Sequence, residues 1–141
     1  MDIRERLKNR VESGLREETV TVDGTSVLVR GRSDARFVRE AWLIGEEEAE
    51  AGAKALSKKL KSLYGIDGGV TGSEYKECKL MSMLAYDTKG KPLDEIFCAA
   101  MCRTDSLFYL ALLAAAMRVS GLLDPASLTA GNSTASADAS G

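Results

Sequence analysis

From Leu107 to Met117 the chain reads Leu-Phe-Tyr-Leu-Ala-Leu-Leu-Ala-Ala-Ala-Met, and the Tyr109 hydroxyl is its sole side-chain oxygen or nitrogen. Leucine and alanine dominate and no residue is β-branched, so the run is expected to be helical. A helix that is apolar all round needs cover on most sides. It is therefore the expected central helix, against which the rest of the chain packs. Crossing a bilayer takes about 20 apolar residues, and this run is closed by Arg103 and Asp105 before it and Arg118 after it.

The clearest local signal lies near the start. Thr19–Val22 and Thr25–Val29 flank Asp23-Gly24, the dipeptide suited to a type I′ turn. A two-residue loop sets Val22 opposite Thr25 and Val20 opposite Val27, which puts Val20, Val22, Val27 and Val29 on one face. Such a hairpin is barely stable alone and needs a helix or further strands on its valine face. Before it, Ile3, Leu7, Val11 and Leu15 recur every four residues, the narrow stripe of a short amphipathic helix that must dock or fray. After it, Ser33 or Asp34 is placed to cap a helix carrying Phe37, Val38, Ala41 and Trp42 and stopping near Gly45. A longer helix spans 46–64, with glutamates in its first turns and lysines towards its last, an order that suits the macrodipole.

Residues 65–72 form a glycine-rich break, and Ser73 is a fair cap for a helix over 74–86. A turn at 87–92 leads to a helix over 93–102 opened by Pro92. The polar triplet 103–105 reads as a joint capped by Thr104, and the apolar helix follows over 105–120, closed by Ser120-Gly121 with Pro125 beyond. The expected fold is α+β: an N-terminal helix and a β-hairpin (about 19–30), then a mainly helical bundle (34–44, 46–64, 74–86, 93–102 and 105–120) around the central apolar helix. Residues 1–128 make one domain. Residues 129–141, without a large apolar side chain, are expected to be a disordered tail.

Composition narrows the chemistry. The chain has no histidine, the commonest general base and metal ligand. A net charge of −2 gives no bulk attraction to phosphate, so nucleic acid is not an expected partner. Cys78, Cys98 and Cys102 sit among apolar neighbours and read as reduced, buried thiols of a cytoplasmic protein rather than a disulfide framework or half a zinc site. The charged start, Met-Asp-Ile-Arg-Glu-Arg, is not a signal sequence. The 65–72 stretch follows a helix and lacks Gly-Lys-Ser/Thr, so it reads as a flexible connector and not a phosphate loop. Lys54, Lys58, Lys59, Lys61, Lys76 and Lys79 read as a solvated face, with a basic patch as the other reading. No catalytic, cofactor-binding or metal-binding residue is assigned. Candidates for partner binding are Arg30, Arg32, Arg36 and Arg39, which follow the hairpin closely, and Trp42, the single tryptophan, because arginine and aromatics dominate binding hot spots. A plain surface role for the arginines and a core role for Trp42 are the alternatives.

Three stretches carry a resemblance in layout. Val27-Leu28-Val29-Arg30-Gly31-Arg32-Ser33 is a ribbon strand running into a helix. Leu84–Leu93 brings a helix to the turn Asp-Thr-Lys-Gly-Lys-Pro-Leu and on to another helix. Ala115–Leu122 is a closing helix ending in Ser-Gly-Leu. Over residues 18–123 this order of parts resembles the tail-assembly chaperones of long-tailed bacteriophages. The resemblance implies a small α+β protein without enzymatic activity, acting in the host cytoplasm. It would bind the tape measure protein during tail building, help recruit tail tube protein, and be absent from the finished particle. It needs no cofactor and no membrane, and leaves a homo-oligomeric form open. The other readings are a small adaptor that binds one protein through the hairpin and Trp42, and a small histidine-free enzyme using carboxylates and lysines.

Overall fold

The computed structural model describes residues 2–13, 16–32 and 35–122. The expected cap at Ser33 or Asp34, the side chains of Phe37 and Arg39, Leu15, Pro125 and the 129–141 tail lie outside the described residues. The order of elements is α1 (Ile3–Ser13), β1 (Glu17–Val22), β2 (Thr25–Arg30), α2 (Ala35–Trp42), α3 (Glu46–Tyr64), α4 (Gly72–Leu84), β3 (Ala85–Tyr86), α5 (Glu95–Thr104) and α6 (Ser106–Ser120). The fold is α+β, with an N-terminal helix, a hairpin and a mostly helical remainder, as the residue pattern implies.

The hairpin forms in the expected register, Val22 opposite Thr25 and Val20 opposite Val27. Asp23 and Gly24 take φ of 51° and 81°, the left-handed pair that a type I′ turn demands. Val27 and Val29 are buried, so the valine face does find its cover. The same register sets Glu18 opposite Val29, a carboxylate on the apolar face. It is met there by Arg118 of α6, whose guanidinium donates from Nε and Nη2 at 2.8 and 2.6 Å.

The sheet has a third strand that the residue pattern does not announce. Residues 85–86, expected as the end of a helix, leave α4 in extended conformation and pair with β2, Val29 opposite Ala85 and Leu28 opposite Tyr86. The chain then reverses at 87–91 and bridges Tyr86 to Pro92. Pro92 consequently belongs to the turn and does not open α5. That helix begins at Glu95, its cap being Asp94, whose Oδ1 accepts the Phe97 N–H at 2.8 Å. The cap of α4 also differs from expectation. Thr71, not Ser73, accepts the Glu74 N–H while the Glu74 carboxylate accepts the Thr71 N–H, a complete capping box.

The joint after α5 is real, but Asp105 caps α6 through the Phe108 N–H. The Thr104 hydroxyl turns back to the Ala100 carbonyl. Gly121 ends α6 at φ 77°, and Gly65 ends α3 at φ 68°, where a Cβ would be strained. The 65–72 stretch is bonded back to α3 at Val70. The Ser57 hydroxyl accepts the Val70 N–H at 2.9 Å, and Gly69 has no side chain to collide with Ser57.

The apolar helix α6 packs on α4, α5 and both hairpin strands, with Leu112, Ala115 and Ala116 fully buried. Its cover is incomplete, since Leu107 and Leu110 are 66% and 60% exposed. The helix with neighbours on four sides is α4, packed by α2, α3, α5 and α6. Its Cys78, Leu80, Met81 and Leu84 are fully buried; a Leu in that state contributes about 1.5–3 kcal/mol.

Gly31 fixes the hairpin against α6. Its N–H reaches the Arg16 carbonyl at 2.8 Å, and a Cβ there would lie 2.8 Å from the Val119 backbone oxygen. Backbone cannot swing aside as a side-chain tip can. Gly31→Ala is expected to destabilise the fold by about 1–3 kcal/mol, read as a lower urea midpoint with an unchanged slope. A midpoint equal to that of the parent chain would show that α6 is free to shift.

Candidate functional site

Three segments converge on an open groove of about 690 Å³. The hairpin supplies Thr25 and Val27 as one wall, the 87–93 turn supplies Asp87 and Leu93, and α5 and α6 supply Phe97, Met101 and Phe108. Tyr64, at the end of α3, closes one side. Each wall is placed by a feature already described. The type I′ turn projects the hairpin tip, β3 fixes where the 87–91 reversal begins, and the Asp105 joint lets α6 turn away from α5.

Three of the polar side chains of this groove are engaged with backbone, and Ser26 is bonded to the Thr21 side chain at 2.8 Å. Asp87 Oδ1 accepts the N–H groups of Lys89 and Lys91, both at 2.9 Å. Asp105 caps α6 and Thr104 bonds within α5. The groove offers a ligand the apolar surface of Val27, Leu93, Met101 and Phe108, with Phe97 47% exposed at its edge, beside the hydroxyl-bearing Thr25, Ser26, Tyr64 and Thr88. A constellation for acid–base or nucleophilic chemistry needs convergent polar groups aimed into the cavity, and the two carboxylates, Asp87 and Asp105, bond the local backbone instead. Arg103, beside the joint, is turned towards Gly68 of the α3–α4 loop.

The partner-binding candidates from the sequence lie elsewhere. Arg30 donates from Nε to Glu17 across the hairpin at 2.7 Å, with both side chains about half exposed. Arg32 and Arg36 are exposed, and Arg39 is on α2. Trp42 is half-buried against the core, with the Lys76 ammonium 5.2 Å from its ring centroid, a cation–π contact. Arg30, Arg32, Arg36 and Trp42 do not line the groove. The lysines are similarly dispersed: Lys61 pairs with Asp67, Lys76 lies on Trp42, and Lys79 lies over Tyr75. Lys54 and Lys58 share a surface hollow with Glu47 and Glu50.

A second polar cluster sits inside the helical layer. The Tyr109 hydroxyl donates to Glu77 at 2.6 Å and the Cys102 thiol donates to Glu74 at 3.4 Å. Burial raises the Tyr109 hydroxyl far above its ordinary range, and the bond to Glu77 adds to it. Burial likewise pushes Cys98 up to about 12 and, with the Glu74 carboxylate, Cys102 to about 11. Cys78 moves the same way, by burial first and its neighbouring thiols second. Thiols held protonated are weak nucleophiles and poor metal ligands. Among the described residues no group of three or more His, Cys, Asp or Glu is placed to hold a metal ion.

The groove residues carried a legible but incomplete signal. Leu93, Phe97 and Met101 fall in the run expected as a helix over 93–102, where Met101 reads as core filling or, alternatively, as part of an adaptable peptide groove. Only the placement of the hairpin tip across the groove from α5 and the start of α6 shows that this face is left partly uncovered. No helix among the described residues is long and apolar enough to cross a membrane. No family model matches the chain, and neither curated proteins nor solved structures give a match.

Two outcomes check this geometry. The Lys91 N–H, then that of Lys89, holds the Asp87 carboxyl below its ordinary 3.8. Its contribution to stability is thus present above pH 3.8 and lost as pH falls through the lower, folded-state value. A carboxyl-detected NMR titration is expected to give a midpoint under 3.8 for Asp87; a midpoint at or above it would mean that the turn does not hold its carboxylate. For Glu18 and Arg118, each about one-third exposed, a double-mutant cycle to alanine is expected to give a coupling of roughly 0.5–1.5 kcal/mol, reduced by solvent screening. Zero coupling would remove this ion pair from the account of how the hairpin docks.

Proposed function

We propose that the protein is a non-enzymatic assembly chaperone of the long-tailed bacteriophage kind, which binds the tape measure protein in the host cytoplasm while the tail is built. The groove between the hairpin tip and α5–α6 supports this reading most directly. It is open, Val27, Leu93, Phe97, Met101 and Phe108 give it an apolar floor, and the Asp87 and Asp105 carboxylates and the Thr104 hydroxyl are tied to backbone. Such a surface suits an amphipathic helix laid in by its apolar side. A tape measure protein presents long helices of that kind. Shielding them until tail tube protein assembles around them would prevent their aggregation. The layout from Val27 to Leu122 that resembles the tail-assembly chaperones supports the same role.

The adaptor reading through Trp42 gains less from the arrangement, because the tryptophan ring is half-buried and shared with Lys76. The enzyme reading would need free polar groups converging in the groove.

Co-expression with a tape measure protein is expected to yield a soluble complex that co-elutes on size exclusion. Phe97→Asp, a change at a half-exposed position, is expected to abolish co-elution while leaving the thermal midpoint of the free protein within a few degrees of the parent. Failure of the two proteins to associate under any condition would end the proposal. So would a complex indifferent to Phe97→Asp.

A further inference from the structure

The groove has a natural occupant within the same sequence. Helix α1 takes no part in the substantial packing among the described elements, and its Ile3, Leu7 and Val11 are 69%, 65% and 73% exposed. A short amphipathic helix with its stripe in water is marginal, so it gains from a partner surface. Its charges are arranged around that stripe. At helical spacing Arg6 and Arg10 flank one edge and Arg4 and Lys8 the other, while Glu5 and Glu12 lie on the back.

The groove is the complement of this pattern. Its apolar floor is Val27, Leu93, Phe97, Met101 and Phe108, and its charged lining residues are Asp87 and Asp105, both acidic; Lys89 and Lys91, beside Asp87, do not line it. The local hydrogen bonds of the two carboxylates use acceptor sites but leave their negative charge in place. Basic edges beside an acidic rim, with apolar faces between them, fix orientation as well as contact.

Chain geometry bears on whose helix fits. The hairpin turn lies roughly 20 Å from Arg16, at about 3.3 Å per strand residue. Val11 is tied to Arg16 by helical residues to Ser13 and then by at most extended chain, a reach of about 14 Å. Val27, opposite Val20, is about 13 Å along the strand from Arg16, so a chain's own α1 meets its groove only with the link to Arg16 drawn out fully. A second copy has no such tether.

We infer that α1 of one copy seats its Ile3–Leu7–Val11 stripe in the hairpin–α5–α6 groove of a second copy, so that the free protein self-associates through this helix-in-groove contact. The inference rests on the same groove as the proposed function and adds its regulation: the neighbour's α1 covers the groove until a partner's helix displaces it.

Light scattering after size exclusion tests it on the full chain. The parent is expected to run above monomer mass in a concentration-dependent way. Leu7→Asp, at a position already in water, is expected to run as a monomer with unchanged helix content, and Phe97→Asp likewise. An oxidised mixture of Leu7→Cys and Phe97→Cys chains is expected to give a cross-linked pair that neither gives alone. A monomeric parent at every concentration would overturn the inference, as would an assembly that survives Leu7→Asp. A monomer whose α1 binds anionic vesicles, with no cross-linked pair, would assign the helix to a lipid surface and also overturn it. Leu7→Asp separates the two claims, because it removes self-association yet leaves the groove free. Retained tape measure binding by that variant supports the functional reading whatever the mass of the parent.

Discussion

The burial of α4 on four sides is the constraint from which the rest of the structure follows. Its apolar residues alternate around the helix, so α2, α3, α5 and α6 can each claim part of its surface. A helix so enclosed cannot slide or rotate without opening cavities, and a lost leucine there costs about 3–5 kcal/mol. Both ends of α4 inherit that rigidity. At the start, the Thr71–Glu74 box sets where the α3–α4 loop must finish. At the other end the chain passes directly into β3, so the position of α4 determines which β2 residues are paired and where the 87–91 reversal stands. The groove wall is thus placed by core packing two elements away.

Much of this was legible from the residues, and the pattern of what was not is instructive. The hairpin register and the bounds of α3 follow from local chemistry: Asp-Gly at the turn, ordered charges along the helix, glycine past its end. Tertiary pairing overrode local preference at 85–86 and at Pro92. Two residues carry too little pattern to announce a strand, and β3 exists because β2 would otherwise leave its second edge unpaired. The Thr71 and Asp94 caps did have a signal. Thr-x-x-Glu at 71–74 is a capping-box spacing, and Asp94 precedes a helical run, but Ser73 and Pro92 are competing signals at neighbouring positions. Glu18 carries no pattern of its own in the sequence, and only the register shows it on the valine face, held by Arg118.

The candidate site was harder to see for a physical reason. A groove for an apolar helix is made of the same side chains as a core, so Phe97, Met101 and Phe108 are indistinguishable from core residues until their neighbours are placed. Of the features that stood out in the sequence, Arg30, Arg32, Arg36 and the lone tryptophan are by contrast outside the groove. Arg30 and Trp42 are committed to contacts within the chain. What unites the exposed stripe of α1 and the half-covered groove is that each is an apolar surface still in water after folding, and burial is the force that such surfaces answer to.

The central claim is that the protein acts by holding an apolar helix in the groove between the hairpin tip and α5–α6. Amide chemical shifts of the isotopically labelled chain, followed as an amphipathic helical peptide from a tape measure protein is added, address it residue by residue. The account predicts perturbations that cluster on Thr25–Val27, Leu93, Phe97, Met101 and Phe108. Shifts confined to Arg30–Trp42, or a spectrum that does not change as the peptide is added, would contradict it.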